Sequence, residues 1–71
     1  MALQIIGRNP NLVALRAVVT VPEPVEYDLT FVLGVNTFYA WDTASTDSDD
    51  DDLVIRPTDR ASSAGRWLKV T

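Results

Sequence analysis

The second half of the chain contains short runs of apolar, β-branched and aromatic residues that are separated by polar and turn residues, a pattern typical of β-strands. Residues 27–33 predict the first such strand, in which Leu29, Phe31 and Leu33 share one face while Thr30 and Val32 share the other. The glycine that follows ends this strand, and the next two residues complete a turn. The pattern therefore indicates a strand that leads through a tight turn into a second strand.

The second strand, over residues 37–42, is apolar on both faces. Phe38 and Ala40 point to one side of it, and Tyr39 and Trp41 point to the other. A strand with two apolar faces needs cover on both faces of its sheet. We expect the chain's own helix to cover one face, and a second copy or a host surface to cover the other.

Two further strands are predicted near the C-terminus, over residues 53–56 and 66–70. The segment between them has the Pro, Ser, Ala and Gly content of a loop. Short strands at spacings of roughly 8–12 residues favour an antiparallel meander. The sequence thus predicts a mainly β fold with a small antiparallel sheet of about four to five short strands.

The N-terminal part predicts one short helix. Asn9 suits the helix cap and Pro10 suits the first helical position, and the apolar residues that follow recur at three- and four-residue spacing. The helix is expected over residues 10–18, although the β-branched run at residues 18–21 favours a strand, so a change from helix to strand stays open. Residues 3–7 are apolar and suit a strand or an arm that pairs with something else.

Length and composition limit the chain to one domain. We expect an N-terminal arm over residues 1–9 and a single small β-rich domain over residues 10–71. A chain of 71 residues buries only about 60% of its unfolded surface. It contains no Cys for a disulfide and no His, the commonest metal ligand. Oligomerisation is therefore the remaining route to stability.

Charge and residue inventory exclude several classes of function. The net charge is −4 and the six basic residues are scattered, so a nucleic-acid partner is not expected. No apolar run approaches the roughly 20 residues that span a bilayer, so no membrane partner is expected either. Without His, Cys or a glycine-rich phosphate loop, the sequence predicts neither an enzyme nor a cofactor.

Five aspartates crowd into residues 47–52, which raises the question of calcium. Their spacing from Asp47 matches the start of a calcium loop, but Asp52 stands where that loop needs Gly and Thr58 where it needs Glu. The alternative is a solvated turn whose side chains bond their own backbone and whose charge blocks edge-to-edge aggregation. We favour the turn, and calcium binding stays open.

The tryptophans and arginines each allow two interpretations. Trp41 and Trp67 suit the core or a subunit interface better than a sugar-binding site, because both have apolar neighbours in a strand pattern. Arg56, Arg60 and Arg66 either bridge to the acidic turn of a neighbouring subunit or are ordinary surface charges.

Four short motifs follow one another along the chain: Leu-Val-Ala-Leu-Arg at residues 12–16, Tyr-Ala-Trp-Asp at 39–42, Val-Ile-Arg-Pro-Thr at 54–58 and Gly-Arg-Trp at 65–67. In this order they resemble the head-proximal β module of tailed-bacteriophage tailspikes, fibres and small virion decoration proteins. The resemblance implies a β-rich unit that assembles as a homo-trimer on the virion. It implies no chemistry at any of these residues.

We therefore expect a virion structural protein, assembled in the host cytoplasm, that acts as a capsid decoration or cement protein. Its partners would be copies of itself and the major capsid protein or another virion protein. The alternatives are a tail or fibre adaptor and a small acidic inhibitor of a host protein. The expected interface residues are Leu3, Ile5, Ile6, Phe38, Tyr39, Trp41, Arg56 and Trp67.

Overall fold

The structure of the chain is a computed structural model that describes residues 4–70. It is mainly β, with a five-stranded sheet and one short helix, as the sequence predicts. The strands are β1 (Ile5–Asn9), β2 (Leu29–Val32), β3 (Thr37–Asp42), β4 (Val54–Ile55) and β5 (Arg66–Lys69), and the helix is α1 (Leu12–Arg16). Single 3₁₀ turns cover Leu33–Val35 and Thr58–Arg60.

The strand order across the sheet is β1-β2-β3-β5-β4. Three neighbouring pairs are antiparallel, but β1 runs parallel to β2, so the sheet is mixed and not wholly antiparallel. Parallel neighbours need a long crossover connection, and α1 together with residues 17–28 supplies it. Residues 5–9, which the sequence placed in an arm, thus belong to the sheet of the domain.

Helix α1 is shorter than predicted and has a different cap. Asn11 caps it, since its side-chain oxygen accepts a hydrogen bond from Ala14 N at 2.9 Å. Asn9, the predicted cap, lies in β1, where its side-chain amide donates to Thr30 Oγ1 at 3.0 Å. The residues after α1 form a turn and an irregular connector, so the β-branched run does not become a strand.

Strand β3 has the predicted limits, whereas β2 is shorter at its start. Tyr27 has a φ of 69°, and this left-handed backbone cannot continue a strand. The backbone N–H of Asp28 donates to Val25 O, which closes a turn just before β2. Asn36, with a φ of 54°, turns the chain from β2 into β3.

The core lies between α1 and one face of the sheet, which we call the inner face. Its fully buried side chains are Leu15, Val32, Tyr39, Trp41, Ile55 and Trp67. Leu12 and Val18 pack against this cluster from the border. The helix therefore covers one of the two apolar faces of β3, as predicted.

The opposite face of the sheet, the outer face, carries a second set of apolar side chains. Strand register places Phe38 opposite Phe31, and it places Ala40 between Leu29 on β2 and Leu68 on β5. All five residues keep part of their surface open to solvent. The predicted two-sided apolar character of β3 is confirmed.

Candidate functional site

The two tryptophans form the centre of the inner face. Trp41 on β3 lies opposite Trp67 on β5, and their rings meet edge to face with centroids 5.0 Å apart. Both indole N–H groups are buried without a hydrogen-bond acceptor among residues 4–70. The pair therefore contributes to the fold through packing.

Three of the expected interface residues are interior residues. Tyr39, Trp41 and Trp67 have no accessible surface on the folded chain. The phenol of Tyr39 donates a hydrogen bond to the carbonyl oxygen of Asp52 at 2.6 Å, and burial raises the pKa of Tyr39. Because these side chains are enclosed by their own chain, we reassign them from an interface to the core.

Arg60 holds the connector against the tryptophan pair. Its guanidinium lies 5.6 Å from the centre of the Trp41 ring, within the range of a cation–π contact. It also donates from Nε to Thr20 Oγ1 at 2.8 Å and from Nη2 to Thr20 O at 2.9 Å. Thr20 is fully buried and donates in turn to both carboxylate oxygens of Asp59. These contacts tie the residues between α1 and β2 to the loop before β5.

Arg66 and Arg56 have different roles. The guanidinium of Arg66 is almost fully buried and donates to the carbonyl oxygens of Asp47, Ser63 and Gly65 at 2.8–2.9 Å. Arg66 thus fastens two loops to β5 and is not available to a neighbouring subunit. The side chain of Arg56 is exposed, so its expected role at an interface stays a prediction.

The aspartate run folds as a turn whose carboxylates are used within the chain. Asp49 binds Arg16 through two hydrogen bonds of 2.9 Å, and Asp51 reaches the same guanidinium at 2.7 Å. The Arg16 guanidinium holds the pKa of the Asp49 carboxyl well below its usual range. Asp52 pairs with Lys69 at 3.0 Å. Within residues 4–70 no group of three acidic side chains is arranged to hold a metal ion.

The same turn closes one edge of the sheet. Strand β4 is an edge strand, and the backbone N–H and carbonyl of Val54 both bond to Asp50, at 2.9 and 3.1 Å. The backbone N–H of Arg56 donates to Asp49 at 2.8 Å. These bonds occupy the groups with which β4 would otherwise pair to another strand. The predicted self-bonding turn is therefore confirmed, and its geometry protects the edge.

Strand β1 forms the other edge of the sheet. Among residues 4–70 no strand pairs with its far side. Ile5 and Ile6, two of the expected interface residues, are 61% and 44% exposed. Leu3, the third apolar residue expected there, lies outside the described residues. This edge therefore combines an exposed strand backbone with exposed apolar side chains.

Phe38, another expected interface residue, lies on the outer face. Its ring meets that of Phe31 edge to face at a centroid distance of 5.0 Å. Both rings are half-buried, so they present apolar surface to solvent. The structure thus places Phe38 on the outer face with Leu29, Ala40 and Leu68, and strand register places Ile5 of β1 beside Leu29 on the same face.

The two polar clusters that hold the connector and the acidic turn were not expected from the sequence. Arg16 was noted only as part of a motif, and Thr20 lies in a run of β-branched residues that looked apolar. The signal for Thr20 was its hydroxyl within an otherwise apolar segment. No sequence pattern indicated that Asp59, nearly forty residues away, accepts from it.

The described surface has a shallow cavity of about 330 Å³ beside α1. Its walls are Arg16, Ala17, Val18, Val19, Thr58 and Asp59. The carboxylate of Asp59 already accepts two hydrogen bonds from Thr20, and Arg16 is paired with Asp49. The two charged groups of this cavity are therefore engaged in holding the fold.

Within residues 4–70 no helix has the length and apolar content needed to cross a membrane. Comparison of the chain with protein-family models, with curated proteins and with solved structures produced no match.

Proposed function

We propose that the chain is a non-enzymatic structural protein of a tailed-bacteriophage virion, and specifically a capsid decoration or cement protein. One observation carries this proposal: the motifs that resemble the phage module are used to build the fold. Trp41 and Trp67 pack together, Pro57 is fully buried, and Gly65 lies against Trp41. Because the residues of these motifs pack within the fold, the motifs support a structural role better than a catalytic one.

The distribution of charge supports the same proposal. Arg16, Arg60, Arg66 and Lys69 each bind oxygen atoms of their own chain. The third alternative, an acidic inhibitor of a host protein, depended on the aspartate run as a free negative surface. Because Asp49, Asp51 and Asp52 are paired with basic side chains, that alternative loses its main support.

The β1 edge is the surface best suited to docking on the particle. A strand with an open edge can be extended by a strand of a partner, with backbone hydrogen bonds for affinity and side chains for specificity. Ile5 and Ile6 would supply the apolar contacts. The acidic turn closes the opposite edge, so docking through the sheet backbone has one available side.

The proposal is tested by adding the purified protein to shells that lack it and measuring co-sedimentation. The wild-type protein should bind and should raise the temperature at which the shells release DNA. Replacing Ile5 and Ile6 together with Lys should abolish binding, because lysines on an edge strand oppose pairing. The matched control is Val25→Lys, at a position 70% exposed in the connector, which should bind normally.

Two other outcomes are informative. Binding to purified tails or fibres but not to shells would replace the decoration role with the adaptor role. Binding to no part of the particle would overturn the virion proposal altogether. Unchanged shell binding by the double lysine variant would reject β1 as the docking edge.

A further inference from the structure

A second cavity lies beside β1 and has a volume of about 230 Å³. We call it the Gly7 cavity, because the absence of a side chain at Gly7 keeps it open. Strand register places Gly7 beside Thr30, which in turn lies opposite the core residue Tyr39, so this space is on the inner face. Nothing lies within 4 Å of a Cβ added at Gly7. The border of the core is therefore unfilled at this point.

The walls of the Gly7 cavity are largely apolar. Ile6 and Val18 contribute aliphatic surface, and Trp67 reaches the cavity from β5, although β2 and β3 lie between β5 and β1. An apolar protein cavity of about 150 Å³ is large enough to bind benzene. The Gly7 cavity is larger, so it has room for a small ring that carries one substituent.

Two polar groups at this cavity can donate hydrogen bonds. Thr30, which is 3% exposed, accepts at Oγ1 from the side-chain amide of Asn9 at 3.0 Å, so its own hydroxyl proton can donate to another group. Trp67 has one hydrogen-bonding atom in its side chain, Nε1, which is buried and has no acceptor among residues 4–70. A buried donor without an acceptor costs stability, and an acceptor atom that reaches it from the cavity recovers that cost.

Among the described residues that line the cavity, no charged side chain faces it. Arg8 belongs to the lining, but strand register pairs it with Phe31, so its side chain points to the outer face. A charged ligand would lose its hydration here without gaining an opposite charge. The cavity therefore suits an uncharged ligand that accepts hydrogen bonds.

We propose that the Gly7 cavity is a binding site for a compact, uncharged molecule with an apolar body and a carbonyl oxygen, such as a cyclic ketone. The apolar body packs against Ile6, Val18 and the indole of Trp67. The carbonyl oxygen accepts from Trp67 Nε1 and from the hydroxyl of Thr30. This site uses side chains of the inner face, so it is distinct from the backbone edge of β1.

The test is a titration of the isotope-labelled protein with cyclohexanone, followed by nuclear magnetic resonance of the two indole N–H groups. The Trp67 proton should move downfield along a saturable curve, because it gains an acceptor. The Trp41 proton is an internal control and should move less, since Trp41 is not part of the cavity lining. Cyclohexylamine has a ring of the same size but carries a charged donor at neutral pH, so it should not bind.

Gly7→Val places a branched side chain in the open space and should weaken cyclohexanone binding by at least about tenfold. Valine suits a strand, so this variant should fold, and circular dichroism checks that it does. Val13→Leu, at a 73% exposed position on α1, adds bulk outside the cavity and should bind as the wild-type protein does.

Three outcomes would overturn the proposal. The first is a wild-type titration in which the Trp67 resonance does not move, or moves without saturation and in step with that of Trp41. The second is equal binding of cyclohexylamine, and the third is undiminished binding by folded Gly7→Val. The wild-type titration decides the matter alone if that variant does not fold. Because no virion component is present, the result is separate from the test of shell docking.

Discussion

Gly65 lies directly against the indole ring of Trp41. Its φ is +120°, a backbone conformation that residues with a side chain rarely adopt, and a Cβ at this position would approach Trp41 Cζ2 to 2.7 Å. The Gly-Arg-Trp motif therefore needs glycine at this position for two reasons: the backbone has a positive φ, and the Trp41 ring leaves no space for a side chain. This contact links the two motifs of the chain that contain tryptophan.

Gly65→Ala should destabilise the domain by about 3 kcal/mol, as the sum of backbone strain and overpacking. Urea unfolding followed by tryptophan fluorescence measures this. Gly7→Ala is the matched control, because nothing lies within 4 Å of a Cβ added at Gly7. Equal stability of the two variants would show that Trp41 moves aside at little cost.

Of the two aspartates that pair with Arg16, Asp49 should contribute more to the stability of the fold than Asp51 does. Asp49→Asn removes a two-bond pair whose side chains are only 27% and 18% exposed, so we expect a loss of about 1–2 kcal/mol. Asp51→Asn is the control, since Asp51 is 78% exposed and its pair with Arg16 is screened by water. Chemical denaturation at neutral pH compares them, and similar losses would contradict the assignment.

The same pair predicts a dependence of stability on pH. Arg16 holds the pKa of Asp49 below its ordinary value of 3.8, so the folded state binds a proton at this carboxyl less readily than the unfolded state does. The stabilisation is complete above about pH 5 and is lost progressively as the pH falls through the ordinary value of 3.8 and below it. In a plot of unfolding free energy against pH, Asp49→Asn should flatten the acidic part. A wild-type plot that stays level down to the lowest pH at which the protein is measured would contradict the prediction.

The division of the sequence into short apolar, β-branched and aromatic runs bounded by turn residues predicted strand β3 with its correct limits. It also predicted the strands near β2, β4 and β5 to within a few residues. The apolar residues 3–7 suited a strand or an arm, but local pattern does not contain the partner of β1, since Ile5 pairs with Leu29 and Asn9 pairs with Val32. Asn9 has good capping chemistry, but a side-chain bond to Thr30 holds it in the sheet.

The candidate surfaces were harder to predict than the fold. An apolar residue suits a core and an interface equally well, so Tyr39 and Phe38 were placed in one predicted set although they point to opposite faces. Only the position of α1 decides which face is enclosed. The role of the aspartates in closing the sheet edge also depends on tertiary structure, because it depends on where β4 lies at that edge.

Two substitutions of Tyr39 distinguish a core residue from an interface residue. Tyr39→Phe removes the hydrogen bond to the Asp52 carbonyl and should cost about 1 kcal/mol without changing the oligomer mass. Tyr39→Asp buries a carboxylate in the core and should prevent folding. Circular dichroism with light scattering measures both. A folded Tyr39→Asp monomer would return Tyr39 to the interface.

Thr20 provides the sharpest test of the connector. Its buried hydroxyl donates to Asp59 and accepts from Arg60, so Thr20→Val, which has nearly the same shape, leaves two polar groups short of a partner. We expect a loss of about 2 kcal/mol. Thr20→Ser keeps the hydroxyl and loses one methyl group, which costs about 0.8 kcal/mol. Equilibrium unfolding should therefore show that Thr20→Ser is more stable than Thr20→Val. The reverse order would mean that the hydroxyl contributes less to stability than the methyl group does.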